Sequence, residues 1–451
     1  MKRIIFLLFT LCSLVHAQNR INIPYERYIL PNGLNIILHE DHSTPTVSVN
    51  IWYHVGSAYE KVGHTGFAHL FEHLMFEGSG HVAEGDFDGL LESVGGYNNA
   101  STNRDRTNYF ENVPSNALEL ALYLDSDRMG FLLDSMSAEK VDGQREVVKN
   151  EKRQRYENSP YGLAWENIYK NLYPEGYPYN WTTIGSMADL DAASYNDVAE
   201  FFKTFYVPNN ASLVIAGDIN ANEALKLVEK WFGGLPAGEP VPSLNPESAK
   251  LNEEKIITIE DNVQLPRLYM TWITPPFFAP GDADMDILSN IFSQGKNSRL
   301  YKKLIYEMQI AQDVTAFQSS GKLSSEFIII ATARAGHNLE ELKNAIQEEI
   351  NKIKLKPPSQ RELERAVNQY EASFLDDLEK PDRKADLLNL YFYYTGNPDY
   401  SNEAISRYRA LSPDDIQAAA LTYLQDNSRV VLSIVPKGKT DLAVQTKTEG
   451  K

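Results

Sequence analysis

Ser194–Gly217 reads SYNDVAEFFKTFYVPNNASLVIAG, and Ser412–Val435 reads SPDDIQAAALTYLQDNSRVVLSIV. The two stretches align at a constant offset of about 218 residues. Each opens on a Ser suited to cap a helix and runs through an amphipathic helical pattern. Each then turns at an asparagine, Asn209 or Asn427, into an apolar strand. An internal duplication is the economical explanation. It predicts an α+β chain of two homologous domains, each a mainly antiparallel sheet with helices packed on one face.

Working outward, Gly233, Gly234, Pro236, Gly238, Pro240, Pro242 and Pro246 stand among polar residues between the two copies. This composition marks a linker over residues 235–253, with domains at 18–234 and 254–436 and a polar, flexible tail at 437–451. A chain of 451 residues is too long for one ordinary core and suits two. In the first domain Tyr28-Ile29-Leu30 and Leu34–Leu38 flank Pro31-Asn32-Gly33, which reads as a hairpin. Val47, Val49, Ile51 and Tyr53 alternate with Ser48, Asn50, Trp52 and His54, the pattern of a strand with one buried face. Ser212–Ala216 fits a further strand, and helical patterns fall around 66–77, 84–93, 115–133 and 137–156.

Residues 1–17 have the layout of a signal peptide. Lys2 and Arg3 precede the apolar run Ile4–Val15, and Val15-His16-Ala17 offers a cleavage site. No later segment approaches the roughly 20 apolar residues of a membrane span, so the expected location is exported, periplasmic or secreted, without a stable membrane anchor. The only cysteine, Cys12, lies in this segment. A mature chain would therefore hold no disulfide, thiolate nucleophile or cysteine metal site. Loss of Lys2 and Arg3 takes the formal charge from −18 to −20. That balance argues against nucleic acid as a partner.

Gly66–Gly78 reads GFAHLFEHLMFEG. At 100° per residue Phe67, Leu70, Phe71 and Leu74 form one apolar stripe, and His69, Glu72 and His73 share the opposite face. Histidines at i and i+4 can meet one zinc ion, and Glu72 is close enough to take a proton from an attacking water. This is the inverted H-x-x-E-H arrangement of zinc peptidases. His39, His42, His54 and His64 lack helical presentation and read as surface or packing residues, and His81 as loop. With no cysteine left, the third ligand should be a carboxylate. On the helix 137–156, Glu151 continues the stripe of Val141, Gln144, Val147 and Val148, where an ionised side chain needs a partner. On these residues alone, that partner is either the metal or Arg155, one turn along.

The chain resembles the pitrilysin/insulinase family of inverted zinc peptidases. It is most like the branch of about 50 kDa subunits related to mitochondrial processing peptidase, a size that this 51.0 kDa chain shares. The likeness runs over about residues 24–436. It rests on Pro31-Asn32-Gly33-Leu34, on Gly66–Phe76, on Gln144–Glu151 and on Gly95-Gly96-Tyr97-Asn98-Asn99-Ala100-Ser101-Thr102. It implies a Zn2+ cofactor held by His69, His73 and Glu151, with Glu72 as general base. It also implies an edge strand on which Asn99 and Ala100 pair with the backbone of an extended peptide substrate.

Two positions depart from the family pattern. Gln144 stands where a second glutamate is often found behind the metal ligands. Ile305 and Gln312, downstream of the matching Ser298-Arg299-Leu300-Tyr301, stand where an arginine and a tyrosine help to bind substrate. The expectation is a zinc endopeptidase cleaving extended or unfolded peptides, the catalytic subunit of a heterodimer whose homologous partner carries the missing Arg/Tyr pair. The alternatives are a homodimer using residues such as Arg299 or Tyr301, and a non-catalytic peptide-binding or structural subunit. A metal-storage protein would have no use for Glu72.

Overall fold

The computed structural model describes residues 21–445. The expected signal segment 1–17, with Cys12, and residues 446–451 of the expected tail lie outside the described residues. Six strands build the first sheet: β1 (Glu26–Ile29), β2 (Asn35–Glu40), β3 (Thr46–Tyr53), β4 (Tyr97–Thr102), β5 (Thr107–Pro114) and β6 (Ala211–Gly217). Their order is β1-β2-β6-β3-β5-β4. The second sheet holds β7 (Glu254–Asp261), β8 (Arg267–Thr274), β9 (Ala311–Ser319), β10 (Ser325–Ala333) and β11 (Arg429–Pro436), in the order β7-β11-β8-β10-β9. Only β2–β6 and β7–β11 run parallel; every other pair is antiparallel. Strand for strand the second order repeats the first without β1, so the two-domain α+β fold and its duplication hold.

The repeat carries local chemistry as well as topology. Ser194 caps the helix Tyr195–Phe205 and Ser412 caps Pro413–Tyr423. Both form a reciprocal capping box, with Asp197 and with Asp415. The hairpin expected at 26–40 pairs Ile29 with Asn35 around Gly33, which sits at φ +88°. A Cβ on Gly33 would stand 2.6 Å from the Cβ of Asn209, so the two turns read from the sequence pack on each other.

Each sheet carries most of its own half's helices on one face, and each half has its own core. The opposite faces are covered by exchange. Helix Pro381–Thr395, from the second half, lies across β3 and β6 and packs Ala385 and Leu388 against Ile37, Val214 and Ala216. Helix Ala164–Leu172, from the first half, lies on β8 and β11 and packs Ala164, Ile168 and Leu172 against Tyr269, Val430, Leu432 and Ile434. Strand β3 is therefore buried on both faces after Thr46, where its alternation predicts one. Its polar face finds polar partners in the covering helix: Asn389 Nδ2 donates to Asn50 O at 2.9 Å, and Trp52 Nε1 donates to Asp386 at 3.2 Å. His54 Nε2 lies 3.0 Å from Ser212 Oγ, and burial pushes its pKa down to about 3.

The expected flexible tail does not begin at Lys437. Ala443 and Val444 are buried in the second core, and the Val444 N–H donates to Ser433 Oγ at 3.1 Å. This apolar pair anchors the polar stretch before it. Among the described residues no helix is long and apolar enough to cross a membrane.

A buried ionic cluster stands behind β5. Arg128 Nη2 donates to Glu111 at 2.7 Å and also to Asp125, and its guanidinium lies 4.4 Å from the Tyr109 ring centroid. Burial, then repulsion from Asp125, pushes the Glu111 carboxyl well up. Arg128→Ala leaves Asp125 without its counter-charge. It should destabilise the fold by about 3–5 kcal/mol, read from the urea midpoint.

Candidate active site

Helix Phe67–Leu74 buries Phe67, Leu70, Phe71 and Leu74 and turns His69, Glu72 and His73 to the other side. Gly66, at φ +95°, begins it where a Cβ would meet Ile184 O at 2.7 Å. No side chain of the capping residue serves this helix. Instead the buried Glu60 accepts hydrogen bonds from the N–H groups of Gly66 (3.0 Å) and Ala68 (2.8 Å), and from Trp181 Nε1 (3.1 Å). Its carboxyl is pushed up to about 8 by burial. Glu60 lies six residues before the capping Gly66, outside the spacing of a capping motif, so the sequence pattern misses it.

Helix Ala138–Lys152, capped by Ser137, brings Glu151 across to the two histidines. Glu151 Oε2 lies 3.7 Å from His69 Nε2 and 3.3 Å from His73 Nε2. The imidazole planes meet at 77°, and the three ligand atoms all fall within 4.8 Å of one another. Ligands about 2.0–2.1 Å from a tetrahedral zinc ion stand roughly 3.3 Å apart, close to the 3.3 and 3.7 Å that separate Glu151 from the two histidines. Two imidazoles and a carboxylate are also a donor set zinc accepts, which leaves further positions open.

The second oxygen of Glu151 accepts from Arg155 Nη1 at 2.6 Å. The two partners that the sequence leaves open are both present, one on each oxygen. Arg155 belongs to the π-helical turn Arg153–Glu157 that directly follows.

Electrostatics favours the metal-binding forms. Burial pushes His69 down to about 4, against the pull of the Glu151 charge. The hydrogen bond with His73 holds the Glu151 carboxyl below the usual range, against its partial burial. Neutral imidazole and ionised carboxylate are the states that ligate. Burial pushes the Glu72 carboxyl up, opposed first by the nearby Thr102 hydroxyl. Thr102 is a second site residue that sequence reasoning missed, because only the docking of β4 against the histidine helix brings it there.

Asn99 and Ala100 lie on β4, the outer strand of the first sheet, which pairs only with β5. The Ala100 N–H donates to the Asn99 side-chain oxygen at 2.8 Å. Gln144 lies two turns before Glu151 and donates to Glu77 Oε1 at 2.6 Å. It therefore acts on a carboxylate one turn past His73, and not on Glu151. Ile305 is half-buried against the second core, and Gln312 is exposed on β9. Arg299 is engaged by Glu362 at 2.7 and 3.1 Å. His42 and His81 pair with Asp218 and Asp127, and His39 meets the Pro24 carbonyl. Among the described residues, His69, His73 and Glu151 form the one group of three potential ligands.

Two family models match the chain: Insulinase (Peptidase family M16) over residues 35–180, and Peptidase M16 inactive domain over residues 192–370. The zinc protease PqqE of Helicobacter pylori is 28% identical over 438 residues, covering 95% of this chain and 97% of that protein. A probable mitochondrial-processing peptidase subunit beta of Arabidopsis thaliana is 23% identical, over 90% of this chain and 77% of its own length. Among solved structures, a protease from Helicobacter pylori superposes with a TM-score of 0.87 at 27% identity, over 92% of this chain and 99% of that one. With both halves matched in order and the duplicated architecture shared, the chain belongs to the insulinase (M16) family of zinc peptidases, alongside the processing-peptidase subunits.

Proposed function

We propose that this chain is a zinc-dependent endopeptidase acting on extended or unfolded peptides. The observation that carries the reading is the convergence of His69, His73 and Glu151 on one point, with Glu72 on the same helix face. Zinc, when bound, supplies a Lewis acid that polarises a carbonyl and acidifies water. The chain's own residues do the rest. Glu72 takes the proton of the attacking water on its carboxylate and returns it to the leaving amine. The free edge of β4, at Asn99 and Ala100, holds the peptide extended by adding it to the sheet. Peptide cleavage by the purified protein should be lost to a zinc chelator and restored by added Zn2+; activity indifferent to the chelator would refute the reading.

The same reading makes the chain the catalytic subunit of a heterodimer. Ile305 offers no hydrogen bond, and Gln312 carries no charge, where relatives place a forked donor and a hydroxyl for the substrate carbonyl. A relative named as a processing-peptidase beta subunit supports the two-chain arrangement. The N-terminal basic and apolar pattern supports export of this chain. Adding a homologous exported chain that bears the Arg/Tyr pair should raise turnover on a mixed peptide library by at least about 10-fold. Equal activity of the isolated chain and the mixture would leave a homodimer as the working unit.

A further inference from the structure

The turn Asn103–Arg106 joins the edge strand β4 to β5 and belongs to the first half, yet much of what holds it comes from the second. Arg104 makes a two-pronged ion pair with Glu326 on β10, Nη1 to Oε1 at 2.5 Å and Nη2 to Oε2 at 2.6 Å. Glu326 is fully buried and also accepts from the Tyr173 hydroxyl. The Arg104 guanidinium lies against the rings of Tyr179 (4.2 Å) and Tyr169 (5.0 Å). The buried Asp105 carboxylate accepts from the hydroxyls of Tyr179 and Tyr394 and from the Lys322 N–H at 2.9 Å. Its carbonyl accepts from the Tyr393 hydroxyl at 2.7 Å. Arg106 closes the turn, donating to Ser101 O at 2.8 Å while its guanidinium lies 4.9 Å from the Trp52 ring centroid.

An outer strand paired on one side only is among the weakly held parts of a sheet. Here that strand carries Asn99 and Ala100, ends at Thr102 directly before the turn, and packs against the histidine helix. Whatever sets the turn sets the height of the edge above the histidine helix. Displacement of a positioning group by about 1 Å can cost up to 10²-fold in rate.

We propose that Glu326 and Arg104 are positioning residues: through them the second half, in cis, holds the edge strand of the first in register with the metal ligands and Glu72. This rests on the peptidase reading above. It gives the half that lacks the Arg/Tyr pair a task within its own chain, separate from any contact with substrate. The competing account is that the same bonds only join the two halves.

Glu326→Gln keeps the shape and one acceptor for Arg104 but removes the charge. Tyr394→Phe removes a single donor from Asp105 and is the milder change should the first fail to fold. Both are made in the full chain, with the partner chain present where activity requires it. Three quantities are read: zinc content, kcat and KM on an extended peptide, and amide exchange across residues 97–106. The expected result is unchanged zinc, kcat/KM lower by about 10-fold for Glu326→Gln and less for Tyr394→Phe, and exchange of β4 amides faster by about 10-fold while β6 is unaffected. A lowered melting temperature with kinetics and β4 exchange within twofold of the unaltered chain, measured where the variants are folded, would overturn the proposal. The exchange arm needs no activity, so an inactive parent would refute the peptidase reading while still deciding the clamp.

Discussion

Glu72→Gln protein should bind zinc as the unaltered chain does and cleave peptides at least about 10²-fold more slowly. The amide has the size of the carboxylate and keeps one oxygen that can accept a hydrogen bond. It cannot accept and release a proton. The three ligand atoms belong to other residues, so metal content is the internal control: a slow variant that has also lost zinc would have been damaged rather than disarmed. Burial raises the Glu72 carboxyl, so the proton it takes up is held more firmly than by an exposed glutamate. Metal analysis beside a peptide-cleavage assay on the same preparation checks this. Full activity in Glu72→Gln would remove the general base from the mechanism.

The second large effect falls on Glu151. Glu151→Gln should weaken zinc binding by at least about 10-fold, as much as His73→Ala, because it replaces the one anionic donor facing two neutral imidazoles. Arg155→Gln supplies the comparison. Arg155 is 74% exposed, and exposed ion pairs contribute little, so its removal should leave zinc affinity within a few-fold. If instead Glu151→Gln keeps normal stoichiometry against a competing chelator while Arg155→Gln is harmful, the carboxylate serves the arginine. The third ligand would then have to be another carboxylate, such as Glu139 or Glu146.

The legible parts of this site are those encoded within one element. His69, Glu72 and His73 share a face because backbone geometry places i, i+3 and i+4 together, and the apolar stripe opposite says which face is turned away from the core. The two capping serines, the Pro31-Asn32-Gly33 turn and the repeat at a fixed offset are likewise properties of short stretches, and they sufficed for the duplicated α+β architecture. Gln144 could be located on its helix face, yet its partner, Glu77, could not be named, since that partner sits on another element.

By itself, then, the sequence determined the elements, their repetition and three of the four groups gathered at the candidate site, because helical and strand periodicities are local and survive any docking. Tertiary packing decided what lies between elements. It set Glu151 against both histidines with one oxygen and Arg155 with the other, two readings that spacing alone presents as rivals. It covered the polar face of β3 with a helix from the other half, so that an alternation implying exposure to water became a hydrogen-bonded interior. It also joined Arg104 to Glu326 across 222 residues of chain. A carboxylate or a guanidinium carries no periodicity. Its partner is chosen by which surfaces meet and by the cost of leaving a buried charge alone, and that is settled only when the two halves close on each other.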